Sequence, residues 1–364
     1  MRFRRPEFLD RHPHLETLVI VVVLAALAGS ATVGFGLYNV SAQAPHLPPT
    51  YWALDTTLTQ SVRLRAPPAS AVPPDLMDAV RVELGARHFD AACSQCHAAP
   101  GEIRTATQRE MRPEPPHITQ AVEGWQSRHL QWILREGIKM SGMPGWPGRR
   151  DDEPWSTVAF LEEVRAGLDA DAYAALTATQ DGTVFAYCAG CHGTDGVGKL
   201  GPYVPRLDIL GETYIATSLD AYRNRLRNSG YMQHAASELG EADPAEMARR
   251  FGALPVAAVP VSAAPDSDLV AKGETLARAG TLDDPSCAAC HGPPAAASAN
   301  YPNLSGQHER YLAEQLRLWR DGNRGGGPRA HLMTAAAEDL DDEEIAALAA
   351  YFASLAPAAP ARTR

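Results

Sequence analysis

The chain reads as all-α: one N-terminal membrane-crossing helix followed by three small helical modules. Three observations carry that prediction. Thr17 to Leu37 run 21 residues without a charged side chain, long enough to cross a hydrocarbon core as a helix. A short motif, C-x-x-C-H, occurs three times, and its first cysteines, Cys93, Cys188 and Cys287, stand 95 and 99 residues apart in a chain of 364, the spacing of three small domains. No segment alternates long enough for a strand, whereas each third of the chain carries a legible helix start.

Taken in order, residues 1–39 form a cytoplasmic N-terminus and transmembrane anchor. Arg2, Arg4, Arg5 and Arg11 precede the apolar run, which holds that end in the cytoplasm and sends the rest across. A cleaved signal peptide is the rival reading, but its apolar core is normally about 7–15 residues, and the small-residue site Ala42–Ala44 is followed by Pro45. The expected location is therefore the inner membrane of a bacterium, single-pass, with the modules in the periplasm. Residues 40–77, with "APHLPPTYW" and "RAPPASAVPP", read as a Pro-rich tether. Within it Trp52, Leu54, Leu58 and Val62 fall at near-helical spacing, which suits a helix on the membrane surface or one packed on the first module. Module one covers 78–176, module two 177–254, a linker 255–267, module three 268–356 and a tail 357–364.

Each module ends in a helix. In module three Asp341 and Glu344 form a capping-box pattern ahead of Ile345, Leu348, Phe352 and Leu355. In module two Asp243 is the cap, Pro244 the first helical residue and Gly252 the stop. In module one Asp151 or Asp152 precedes Trp155, Val158, Ala159 and Leu161. "AGLDADAYAALTATQDG", between modules one and two, offers a short helix and a turn. Modules two and three align as a duplication: Pro205 with Pro302, Leu207 with Leu304, Tyr214 with Tyr311, Tyr222 with Trp319, Leu239 with Leu340 and Phe251 with Phe352. The third copy has four extra residues around "GGG" (325–327). A net charge of −10 argues against a nucleic-acid partner, which needs a basic footprint.

All six cysteines, Cys93, Cys96, Cys188, Cys191, Cys287 and Cys290, fall in the three motifs. C-x-x-C-H is the attachment pattern for c-type haem. One helical turn places two thiols beside the two vinyl groups and the histidine under the iron. A zinc ribbon brings its cysteine pairs two to a metal, a thioredoxin-type redox pair needs a βαβ context, and a disulfide two residues long is a poor staple. Three copies with no cysteine left over point to three covalently attached haems c, with His97, His192 and His291 as proximal iron ligands.

Methionine as the second axial ligand raises the potential of a His-ligated haem and suits electron transfer. After His291 module three holds one methionine, Met333. Module two offers Met232, which matches Met333 in the repeat, and Met247, which shares a helix face with Phe251 and suits core packing. His234 is a rival ligand two residues from Met232. Module one offers Met111, Met140 and Met143; Met143, in "SGMPGW", is preferred because Pro144 stiffens its loop, and Met140 is the alternative. Backbone carbonyls of Pro205 and Pro302 are placed to accept from the outer nitrogen of His192 and His291. In module one Pro113, Pro115 and Pro116 all qualify.

On these motifs the chain, over about residues 80–356, resembles the class I cytochromes c. Modules two and three, from "YCAGCHGTDGVG" to "YPNLSGQHERYLAEQL", look like tandem diheme cytochromes of respiratory chains. Module one, with "CSQCHAAPG" and "LREGIKMSGMPGW", looks like single-haem membrane-anchored cytochromes. The resemblance implies iron ligation by His97/Met143, His192/Met232 and His291/Met333. It also implies an electron carrier without a catalytic residue of its own. Its partners would be redox proteins: a dehydrogenase or quinol-oxidising donor, and a terminal oxidase or soluble cytochrome acceptor. A narrower reading is the cytochrome subunit of a periplasmic dehydrogenase complex. A diheme-peroxidase-like enzyme would need one iron with an open position, and a late methionine in every module speaks against it. A haem-based sensor would need a signalling domain, and no stretch is left over for one.

Overall fold

The computed structural model describes residues 13–139, 141–179, 182–241, 243–258, 266–279, 286–291 and 301–359. Helix α1 (Pro13–Gly34) opens them. Its stretch His14–Gly34 has a mean hydropathy of 2.3, and none of it is buried by the rest of the chain. The helix starts before the charge-free run and ends at Gly34. Helix α2 (Pro48–Arg65), with proline in its first turn, occupies nearly half of the stretch expected as tether and contains Trp52, Leu54, Leu58 and Val62, where the spacing suited a helix. Its C-terminal half docks on module one through the fully buried Val62, while Tyr51, Trp52 and Leu54 stay exposed.

Module one begins with α3 (Ala79–Ala92), whose N-terminus is capped by the Asp78 carboxylate accepting from Val80 N at 3.0 Å. The single turn α4 (Ser94–His97) follows, then α5 (Ser127–Glu136) and α6 (Pro154–Ala166). Helix α3 crosses α6 at Gly85, where a Cβ would lie 1.9 Å from the Ser156 carbonyl oxygen; only glycine lets the backbones approach so closely. Phe89, Val158 and Phe160 fill the core. The helix start expected at Asp151 or Asp152 falls later, because Pro154 takes the first helical position. Asp152 pairs with Arg150, and Asp151 accepts from Arg135 Nε at 2.5 Å. Glu153, at the cap position, makes no cap hydrogen bond.

Helix α7 (Ala170–Thr177) is capped by Asp169, which accepts from Ala172 N at 2.8 Å. It packs on α3, and its Tyr173 enters the module-one core beside Phe89 and Phe160, donating to Asp90 at 2.7 Å. Module two proper is α8 (Val184–His192), α9 (Glu212–Arg223), α10 (Gly230–Ser237) and α11 (Asp243–Gly252). Its core is Ile209, Ile215, Met247 and Phe251. Module three is α12 (Ser267–Arg278), α13 (Cys287–His291), α14 (Glu309–Arg320), α15 (Ala330–Ala337) and α16 (Asp342–Ser354). The expected capping box closes on α16, Asp341 accepting from Glu344 N at 2.8 Å and Glu344 from Asp341 N at 3.0 Å. Helix α12 crosses α16 at Gly273, where a Cβ would lie 2.0 Å from the Ala347 carbonyl oxygen. Among the described residues there is no strand, only an isolated bridge between Arg227 and Gly325.

Polar contacts tie the three modules together. Asp75 joins all of them: it accepts from Arg81 of module one at 3.2 Å, from Tyr203 of module two at 3.1 Å, and from Arg310 of module three. The Tyr203 ring lies between the two guanidinium groups, 4.8 and 4.4 Å from them. Between modules two and three, Arg206 N donates to Gln307 Oε1 at 2.9 Å, and Gln307 Nε2 donates to Arg206 O at 3.1 Å. Arg206 itself is neutralised by Asp208, both groups buried.

Candidate functional site

Each C-x-x-C-H unit is wound into about one turn of helix, ending α8 in module two and forming α13 in module three. In module one Cys93 closes α3 while Cys96 and His97 lie in α4. Local helix formation thus aims two thiols and an imidazole to one side of the chain. The three cysteine pairs belong to three different cores, with Cys93, Cys188 and Cys287 each packed on its own. They do not converge as a zinc ribbon requires.

The same hydrogen bond recurs at all three histidines. His97 Nδ1 lies 2.8 Å from Pro116 O, His192 Nδ1 3.1 Å from Pro205 O, and His291 Nδ1 2.9 Å from Pro302 O. A carbonyl can only accept, so Nδ1 carries the proton and Nε2 is left with its lone pair for a metal. In module one, where three prolines qualified, the structure selects Pro116; the Pro115 carbonyl accepts from Arg104 instead, at 3.0 Å. Burial pushes the His192 ring down to about 4 and lowers His97 and His291 as well, with the prolyl carbonyls opposing. The rings are therefore neutral, the form that ligates. Burial pushes the Cys93 thiol up to about 12 and Cys188 and Cys191 to about 11, opposite to the depressed thiols of a redox-active pair.

Around the third unit lies a cavity of about 500 Å³. Cys287, Cys290 and His291 stand in its wall, and so does Met333 on α15. The structure thereby brings the expected ligand pair His291 and Met333 into one cavity, with Leu304, Leu316, Leu340, Leu348 and Phe352 as apolar lining. Size, lining and donor set fit a large planar macrocycle carrying a metal. Met232 sits in the first turn of α10, its N–H donating to Ser229 Oγ at 3.2 Å. Met143 lies in a loop whose N–H donates to Ser141 Oγ at 3.2 Å and whose carbonyl accepts from Ile138 N at 3.1 Å. Both methionines are half-buried. Met247 is a core residue beside Phe251, as expected, and Met111 is exposed. His234 Nε2 is buried without a hydrogen-bond partner, its ring 5.7 Å from that of His88. Met140 lies outside the described residues.

One side of the cavity belongs to module two: Tyr214, Ser218 and Arg227 join Tyr311, Gln315 and Arg324 of module three. The two sets exchange contacts reciprocally. Arg227 donates to Tyr311 Oη at 3.1 Å, and Arg324 to Tyr214 Oη at 3.2 Å. Arg227 also donates to Ser218 and stacks on Tyr222; Arg324 also donates to Gln315 and stacks on Trp319. Both guanidinium groups are buried, and their hydrogen bonds go to neutral oxygens. Burial pushes the Tyr214 phenol up, but the two arginines outweigh it and hold it well below its usual range. This positive surplus matches a ligand that carries carboxylates. Reading the sequence missed these arginines, although they continue the repeat: Arg227 and Arg324 are 97 residues apart, as are Tyr214 and Tyr311.

Comparison with known proteins follows this division. A family model described as cytochrome c matches residues 270–356, and one described as cytochrome c oxidase, cbb3-type, subunit III matches residues 80–161. Cytochrome c4 of Pseudomonas aeruginosa is 33% identical over 193 residues, covering 52% of this chain and 94% of that protein. The thiosulfate dehydrogenase electron acceptor of Stutzerimonas stutzeri is 35% identical over 178 residues, covering 46% of this chain and 78% of that one. Among solved structures, thiosulfate dehydrogenase (TsdBA) from Marichromatium purpuratum is 40% identical with a TM-score of 0.42, over 48% of this chain and 38% of that one.

Proposed function

This chain belongs to the cytochrome c family, as an electron carrier rather than a catalyst, and we propose that it is a membrane-anchored carrier with three covalently attached haem c groups. Cys93 and Cys96, Cys188 and Cys191, and Cys287 and Cys290 would hold the porphyrins. His97 and Met143, His192 and Met232, and His291 and Met333 would bind the irons. The observation that carries the reading is the recurrence of one imidazole-to-prolyl-carbonyl hydrogen bond at all three motifs. Haem iron supplies a reversible one-electron couple. The protein orients each imidazole, supplies a soft thioether that favours the reduced metal, keeps water from the buried histidines, and places Arg227 and Arg324 to meet carboxylates. Pyridine haemochrome analysis should give three haems c per chain, and Cys287→Ala with Cys290→Ala should reduce that to two. Three haems after the double change would sink the third site, and one or two in the unaltered chain would sink the triheme reading.

Helix α1 supports an anchor in the bacterial inner membrane with the modules on the periplasmic side. Partners would then be redox proteins at that membrane: a dehydrogenase or quinol-oxidising donor, and a terminal oxidase or soluble cytochrome acceptor. The similarity to a thiosulfate dehydrogenase electron acceptor favours a narrower version, in which the chain takes electrons from a periplasmic dehydrogenase. Co-purification from detergent-solubilised membranes separates the two: a dehydrogenase in stoichiometric amount supports the second. A mature N-terminus near Gln43 or Pro45, read by mass spectrometry, would remove the anchor.

A further inference from the structure

Modules one and two meet along a seam whose centre is Glu153. Its side chain is 4% exposed, and four donors converge on it. Trp146 Nε1 at 2.9 Å and Gly230 N at 2.5 Å donate to Oε2. Ser229 Oγ at 2.6 Å and Arg150 Nη1 at 3.3 Å donate to Oε1. The Glu153 backbone carbonyl accepts a fifth bond across the seam, from Tyr231 Oη at 2.7 Å. Of the four donors to the carboxylate, two belong to module one and two to module two.

The partners of this carboxylate are not arbitrary. Gly230 is the first residue of α10 and Ser229 its cap, so a carboxylate of module one terminates a helix of module two where an anion is favoured. Met232 follows two residues later. On the other side Trp146 lies three residues after Met143. The contact has little slack: a Cβ on Gly230 would lie 2.0 Å from Trp146 Nε1, and one on Gly148 3.1 Å from Ser229 N. Around it His88 packs tilted against Trp146, ring centroids 4.6 Å apart, and edge-on against Tyr231 at 4.7 Å.

We propose that Glu153 is a positioning residue that clamps the Met143 loop of module one to the Met232 helix of module two, so that one carboxylate holds the distal ligands of two neighbouring irons in register. The inference rests on the reading of Met143 and Met232 as those ligands.

The test compares Glu153→Gln with Glu153→Ala in the full-length protein. Glutamine fills the same volume but turns its NH2 either toward both Gly230 N–H and the indole or toward the Arg150 guanidinium and Ser229, so buried donors lose an acceptor in either orientation. Both variants are expected to lose about tenfold in hydrogen-exchange protection at Gly230, whose N–H donates to the carboxylate, equivalent to ~1.4 kcal/mol. Both should shift the potentials of two haems while the third, identified by its response to Met333→Ala, stays in place. Protection and potentials like the unaltered chain in the glutamine variant would show that the side chain only fills space and would overturn the proposal. So would a shift confined to one haem. Should either variant fail to fold, Trp146→Phe removes a single donor and keeps the ring. It should move the same two potentials by less, and no movement overturns the clamp. Haem counting keeps the premises separate: three haems with unmoved potentials fails the clamp alone, whereas a count below three in the unaltered chain fails the triheme reading.

Discussion

Modules two and three are copies of one repeat, yet they complete their cores differently. In module three the helix before the motif, α12, lies across its own terminal helix α16 at Gly273. In module two the helix that precedes the motif helix, α7, is eight residues long against twelve and packs on α3 of module one. Its tyrosine sits in the module-one core. What remains of module two leans outward: Leu200 and Val204 pack on Leu84 of module one, together with Cys191. The difference shows what a duplicated domain sandwiched between two neighbours can give up. Apolar surface lost with a short helix is recovered from an adjacent module, because burial depends on area and not on chain connectivity. Module two thereby becomes the element that binds the other two together.

The comparison can be broken in several ways. Tyr173→Ala should have the largest effect, about 3–5 kcal/mol for emptying a buried aromatic site. Hydrogen exchange should place the loss in Ala79–Ala92 and leave Val184–His192 protected; the reverse pattern would return α7 to module two. Gly273→Ala comes next, at about 2–3 kcal/mol, because the new methyl meets a backbone carbonyl that has nowhere to move. Module three should then melt ahead of module two, and one unchanged transition in calorimetry would disprove the close crossing.

Smaller effects sharpen the picture of the duplicated interface. Tyr214→Phe and Tyr311→Phe each remove one acceptor from a buried arginine, at about 1.5 kcal/mol apiece. If the exchange is reciprocal the two costs should agree in denaturant titrations; a clear inequality would show that one half dominates. The smallest effect is expected at Asp75. Desolvation raises its carboxyl, but the bonds from Arg310, Arg81 and Tyr203 outweigh that and bring it to about 2 from 3.8. A depressed carboxyl contributes stability that is present above the unfolded value and is lost as pH falls from about 4 through about 2. The site is partly exposed, so screening limits it to less than about 1 kcal/mol. Asp75→Asn should abolish this acid-range loss, and an unchanged acid titration would remove the junction from the account.

Local features were legible because they rest on neighbours in sequence. The capping box Asp341/Glu344, the helix α11, which begins at Asp243, the residue expected as its cap, and ends at Gly252, and the apolar run of α1 are all read within one or two helical turns. The start of α6 falls just past Asp152 because Pro154 takes the first helical position, and Glu153, at the cap, turns its side chain instead to Ser229 and Gly230, 76 and 77 residues away. Residues 40–77 read as tether because their prolines flank α2, and proline in a first turn starts a helix as readily as it prevents one.

By itself the sequence determined three C-x-x-C-H units, the histidine in each, an all-helical chain, a candidate anchor and the alignment of modules two and three as a repeat. These follow from spacings of a few residues or from repetition of a pattern. Only the tertiary structure decided that Pro116 serves His97, that Tyr173 of α7 donates to Asp90 in the module-one core, and that Arg227 and Arg324 reach into each other's modules. Each of these is a choice among chemically equivalent groups far apart in sequence. Close packing makes that choice, since a buried donor takes whichever acceptor the surrounding cores bring within reach.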